Sequence, residues 1–150
     1  MSRAVKSRVR VVGGAGLVAV SLISACLHST GPQPSLIQLA GTWNYTGVQT
    51  SPVRETLSGT LTISSETGTS FQGRVDLVGV NQANQTRVLG GLVSGSELGT
   101  DIVDFDASVE TTPRRHVGQI VADTISGTWI GSAPDGTKSS GTFRVERVKR

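Results

Sequence analysis

Cysteine occurs once in this sequence, which removes both an intrachain disulfide framework and a Cys-ligated zinc cluster from consideration. Histidine occurs twice, at His28 and His116, and leaves little material for a His-based metal or acid–base centre. Aromatic residues are scarce, with two Trp, one Tyr and three Phe, and charged residues make up 17%. Hydrophobic residues make up only 36%, low for a helical globular chain, and no stretch carries a sustained 3.6-residue apolar period. A Gly-x-Ser-x-Gly elbow, His-Glu-x-x-His, a Walker A loop and an EF-hand loop are all missing. Ser94, Ser139 and Ser140 lie by turns, where Ser is expected, and His116 follows Arg114 and Arg115 at a strand start and reads as exposed. The expectation is a non-enzymatic protein with no catalytic residue, metal or cofactor. What is present instead is glycine, 19 residues of it, in a chain of 150 that suits one domain.

The chain opens on Arg3, Lys6, Arg8 and Arg10 with no acidic residue, followed by an apolar or small stretch from Val11 to Ile23. This is the charged n-region and apolar h-region of a secretory signal. The stretch 11–25 would span about 22 Å as a helix, short of the roughly 30 Å hydrocarbon core of a bilayer. Ile23-Ser24-Ala25-Cys26 then resembles the lipobox of bacterial lipoproteins: an aliphatic residue, two small residues and Cys. The resemblance implies diacylglycerol on the Cys26 thiol, cleavage before it and acylation of the new N-terminus. Several acyl chains give a stable anchor, because each buried CH₂ contributes about 0.8 kcal/mol and one chain alone is marginal. Leu27, rather than the Asp that marks inner-membrane retention in some bacteria, implies the periplasmic side of the outer membrane.

Two features of this leader mislead. Gly14-x-Gly16-x-x-Ala19 looks like a dinucleotide-binding turn, but that fingerprint needs a βαβ unit and an acidic residue about 20 positions on, and the first acidic residue here is Glu55. The formal charge of +3 and the pI near 9.6 suggest a nucleic-acid partner. Four of the fourteen basic residues precede Cys26 and all eleven acidic residues follow it, so the processed chain carries −1 and the electrostatic case for nucleic acid disappears.

Residues 26–38 contain Gly31, Pro32 and Pro34, lack periodicity and read as a lipidated Cys and flexible tether between a signal (1–25) and a domain (39–150). From Leu39 onward Val, Ile, Thr and aromatics alternate with polar residues, and turn clusters recur every 10–15 residues. Eight strands are predicted, at 41–48, 56–64, 70–80, 86–94, 101–109, 115–122, 124–131 and 139–148. Short turns such as Glu66-Thr67-Gly68, Glu97-Leu98-Gly99 and Pro134-Asp135-Gly136 force antiparallel neighbours. A small–Gly–Thr–large pattern repeats at 40–43, 58–61, 126–129 and 140–143, placing each Gly on the same face as the large residue two positions on. The predicted inward sets are Trp43 and Tyr45; Leu57, Leu61 and Ile63; Phe71, Val75 and Leu77; Val103, Phe105 and Ala107; Ile125 and Trp129; Phe143 and Val145. Alternating small and large inward residues suit a tapering barrel, whose closure removes both sheet edges; a two-sheet sandwich is the alternative.

Gly41-Thr42-Trp43 at the start of the first strand resembles the Gly-x-Trp opening of lipocalin and avidin-like chains, and Gly127-Thr128-Trp129 resembles the late-strand Trp of avidins. The resemblance implies an all-β, eight-stranded antiparallel up-and-down meander barrel with Trp43 plugging one end. The lipocalin Thr-Asp-Tyr segment, a C-terminal helix and a matching biotin site are missing. Two functions follow. In the first, Trp43, Tyr45, Phe105 and Trp129 line an interior that binds a small, partly apolar ligand. In the second, those side chains fill the core and the outer surface contacts an envelope protein, as in a barrel-type protease inhibitor. A cavity above roughly 300 Å³ favours the first. Asp101, Asp104 and Asp106 read as a solvated outer group rather than a Ca²⁺ site, and Glu110 and Arg115 are expected to pair across their turn.

Overall fold

The computed structural model describes residues 37–109, 112–133 and 135–149. The signal segment, Cys26, most of the tether and Glu110 lie outside the described residues. The eight strands are β1 (Gly41–Ser51), β2 (Glu55–Thr67), β3 (Ser70–Asn81), β4 (Thr86–Leu98), β5 (Ile102–Ala107), β6 (Arg114–Val121), β7 (Thr124–Ser132) and β8 (Lys138–Arg147). Each pairs antiparallel with its neighbours in the chain, and β1 pairs with β8, in the order β1-β2-β3-β4-β5-β6-β7-β8 of a closed barrel. The meander is therefore a barrel and not a sandwich. Ladder shifts at Gln49/Ser51 and Ile63/Ser65 bend the long strands β1 and β2, as closure requires.

Period-2 alternation decides what enters the core. Every residue of the predicted inward sets is buried, joined by Leu39, Leu89, Val93, Val109 and Ile120. The glycines on this face serve close approach. A Cβ on Gly127 would stand 2.0 Å from the Val117 carbonyl oxygen, and one on Gly141 would stand 2.7 Å from the Trp129 ring. Neighbouring strands and the facing aromatic occupy the space a side chain would need.

One end of the barrel is sealed by contacts readable from the sequence only as a Trp near a Gly. Trp43 donates from Nε1 to the Leu39 carbonyl at 3.0 Å, and the Arg147 guanidinium lies 4.2 Å over its ring. Arg147 also donates to the carbonyls of Ala40 and Gln38. The Glu66 carboxylate receives the backbone N–H groups of Leu39 and Ala40 at 3.0 Å. The segment 37–40 is thus strapped across this end, with Ile37 packed against the core.

One sequence expectation is corrected. His116 is 3% exposed, not on the surface, because β6 turns Arg114, His116, Gly118 and Ile120 inward and leaves Val117 and Val121 outside. Arg115 faces out and pairs with Asp104 at 2.5 Å.

Candidate functional site: the polar mouth of the barrel

The end opposite Trp43 is open. The β1–β2, β3–β4 and β7–β8 connections and the start of β6 rim a cavity of about 390 Å³, within the range of small-molecule sites. Asn81 shapes one rim: its Oδ1 accepts the N–H groups of Ala83 and Gln85 at 2.9 and 3.0 Å, an Asx-type turn that lets Asn84 adopt φ +58°. Pro52, Val53 and Ala133 give the cavity apolar wall.

Its polar wall is buried and organised. Glu55 is 5% exposed and receives Arg87 Nε at 2.8 and 3.0 Å and Arg87 Nη2 at 2.5 Å. Such a forked, charge-assisted contact fixes both side chains. Gly79 makes it sterically possible, since a Cβ there would lie 2.2 Å from Glu55 Oε1. Gln49 donates from Nε2 to the Val53 carbonyl at 3.1 Å, tying the β1–β2 connection to the same wall. Arg114 and Ser139, both buried, complete it.

Below the mouth the barrel is filled. The Arg114 guanidinium stacks 4.5 Å over Trp129, whose Nε1 is buried without a partner among the described residues. His116 lies parallel to Phe105 with centroids 4.5 Å apart, and Phe143 meets it edge-on at 5.0 Å. Its Nδ1 is 2.9 Å from the Arg114 carbonyl and its Nε2 is 3.2 Å from the Tyr45 hydroxyl. A carbonyl only accepts, so Nδ1 carries the proton and Nε2 accepts from Tyr45. Burial drives the imidazole pKa down from 6.5 to about 4, against the backbone hydrogen bond and with help from the Arg114 charge. Burial likewise raises the Tyr45 phenol well above its usual range, against the pull of Arg114. The void left among Tyr45, Leu61, Phe105 and His116 is about 10 Å³, room for about one water.

The four aromatic candidates are all inside the barrel, but none lines the mouth cavity. Trp43 lies at the sealed end, Tyr45 and Phe105 border the small void, and Trp129 lies beneath Arg114. The mouth residues Gln49, Glu55, Arg87 and Arg114 are polar, and a reading of inward positions from apolar residues leaves them out. Phase alone marks two of them: Trp43 and Tyr45 inward put Gln49 inward, and Leu57 inward puts Glu55 inward. Among the described residues no group of three or more His, Cys, Asp or Glu side chains is placed to hold a metal ion.

A small antiparallel barrel with a filled core and a polar mouth is the class that fold and site define. Among solved structures it is similar to EF1p2_mFAP2b bound to DFHBI, with a TM-score of 0.61 at 14% identity over 73% of this chain and 94% of that one. It is also similar to a redesigned beta barrel, b11L5F_LGL, with a TM-score of 0.55 at 16% identity over 74% and 92%. The bradavidin2–biotin complex aligns at 18% identity over 74% of this chain and all of that one, with a TM-score of 0.48. No family model and no curated protein matches the chain.

Proposed function

We propose that this protein is a non-enzymatic binding barrel that takes a small, partly apolar molecule in its mouth. In this reading it is held by acylated Cys26 on the periplasmic side of the bacterial outer membrane. The observation that carries the binding role is the 390 Å³ mouth walled by the buried Gln49, Glu55, Arg114 and Ser139 above a closed core. Ordering so many polar side chains around one opening is costly unless something is recognised there. That a barrel of this fold is bound to DFHBI in the EF1p2_mFAP2b structure supports the reading. The ligand reaches only the mouth, so Tyr45 and Phe105 act as its foundation.

A thermal-shift screen of small organic molecules tests it. A ligand at 100 times its Kd adds about 2.7 kcal/mol to stability, and Ala133→Trp, which fills the mouth, is expected to abolish that gain. Ligands that stabilise the variant equally, or an unresponsive wild type, would overturn the role. Cys26→Ser followed by cell fractionation tests the anchor: release from the membrane is expected, and undiminished retention contradicts it. The filled interior also favours a second reading, an envelope interaction protein. Val88 and Leu92, 82% and 70% exposed on the outer face of β4, are then its contact residues, and Val88→Ser with Leu92→Ser would abolish the partner's binding.

A further inference from the structure

The sealed end carries apolar side chains that the core does not use. Leu98 and Ile102 flank the β4–β5 turn and are partners in the ladder, Val121 ends β6 where the chain turns into β7, and Val148 follows β8. All four are exposed, from 40% at Ile102 and Val148 to 64% at Val121. Ile102 stands opposite Gln119, and Val121 lies two residues further along β6 on the same face. Three adjacent strands, β4, β5 and β6, therefore present one apolar stretch of rim. Val148 extends it past the β6–β7 turn, because its neighbour Arg147 donates its N–H to the Asp123 carbonyl. Contiguous exposed apolar surface marks a contact, whereas single scattered residues need no explanation.

The acidic groups at this end are engaged. Asp101 accepts from Gln119 at 3.0 Å, Asp123 pairs with Arg147 at 3.5 Å, Glu66 holds the N–H groups of Leu39 and Ala40, and Glu97 is buried. The described chain also enters here, with Ile37 packed against the core. Cys26 stands eleven positions before Ile37, a reach of at most about 40 Å even fully extended. Resting on the Cys26 anchor in the reading above, we propose that the rim of Leu98, Ile102, Val121 and Val148 docks on the phospholipid surface that holds the anchor, with these side chains at headgroup depth. Attachment through Cys26 keeps the rim at a high effective concentration beside the lipid, so a contact too weak to hold a free protein is made in the tethered one. The buried apolar area adds to the hold of the acyl chains. Because the acidic groups are engaged within the barrel, the contact needs no anionic lipid.

Spin labels test this in the acylated protein, whose own cysteine then has no free thiol, reconstituted in phosphatidylcholine vesicles. Leu98→Cys and Val121→Cys place labels on the rim, and Val53→Cys, similarly exposed at the mouth, is the reference. Collisions with oxygen, which concentrates in lipid, are counted against those with a water-soluble nickel chelate. The ratio is expected to be about threefold higher at the two rim positions than at the mouth, as for side chains set at an interface. Ile102→Ser with Val148→Ser is expected to lower the ratio at the Leu98 position to the mouth value, and adding phosphatidylglycerol to change nothing. Equal ratios at all three positions overturn the docking, and so does a ratio that rises only with phosphatidylglycerol, because charge is then the attraction. The mass of the purified protein decides the anchor separately. Acyl groups present with equal ratios leave the anchor and remove the contact, and a chain without them overturns both.

Discussion

His116 accepts a hydrogen bond from Tyr45, 71 positions away in the chain, and donates one to a carbonyl two residues back. Nothing local in Arg114-Arg115-His116 announces either partner, which is why the sequence reads this histidine as a surface residue. Its burial has a thermodynamic signature. The folded pKa, about 4, lies below the ordinary 6.5, so the unfolded chain takes up the proton first. The stabilisation is complete above pH 6.5, fades below it and is gone once the pH falls through about 4. Its full size is about 3 kcal/mol. Urea unfolding at pH 7 and pH 4.5 is expected to show this loss, and His116→Gln to flatten it. Tyr45→Phe removes the proton that Nε2 accepts and is expected to cost about 1–3 kcal/mol at pH 7, measured by the same denaturation.

At the scale of single strands, legibility tracks contrast. β1, β2, β3, β5, β7 and β8 turn their largest apolar residues to one face, with Val78, Val80, Ile102 and Ile130 as outward exceptions, and the predicted inward residues follow from that alternation. In β6 the contrast is mixed: Arg114 and His116 face in with Ile120, while Val117 and Val121 face out with Arg115 and Gln119. Hydrophobicity gives the wrong phase there, and only the neighbouring strands correct it. The mouth was hidden for the same reason, since Gln49, Glu55 and Arg87 continue inward phases as polar residues. The Gly–Thr–large repeat was legible because crowding at a curved wall leaves a compositional mark. Gly127→Ala forces a Cβ against the Val117 carbonyl and is expected to cost about 1–3 kcal/mol as overpacking. Gly68, with φ +61° and nothing near its missing Cβ, is the contrast: Gly68→Asn is expected to cost less than about 1 kcal/mol, because Asn tolerates this conformation. Thermal denaturation of the two variants separates crowding from backbone conformation.

For the whole molecule, the two ends of the cylinder have divided labour. The sealed end carries the aromatic plug and the ionic strap of Glu66 and Arg147, and the open end carries the buried polar wall. Trp43→Ala is expected to cost about 3–5 kcal/mol, as for other buried Trp truncations. At a temperature where the variant remains folded, the affinity of a mouth ligand found by the thermal-shift screen is expected to stay within twofold of wild type, measured by calorimetry. The barrel as a closed meander was readable from strand count and turn chemistry. Which end was open was not, because it depends on loop residues whose partners lie on other strands.

The strap also sets where the described chain enters and leaves the barrel. Val148 donates its N–H to the Thr42 carbonyl, and Trp43 stands opposite Arg147 in the ladder, so head and tail leave the cylinder side by side at its floor. A short peptide stitched between them would turn the domain into a ring without disturbing any rung. Whatever precedes Ile37 therefore joins the cylinder at its floor, on the far side from the cup's opening.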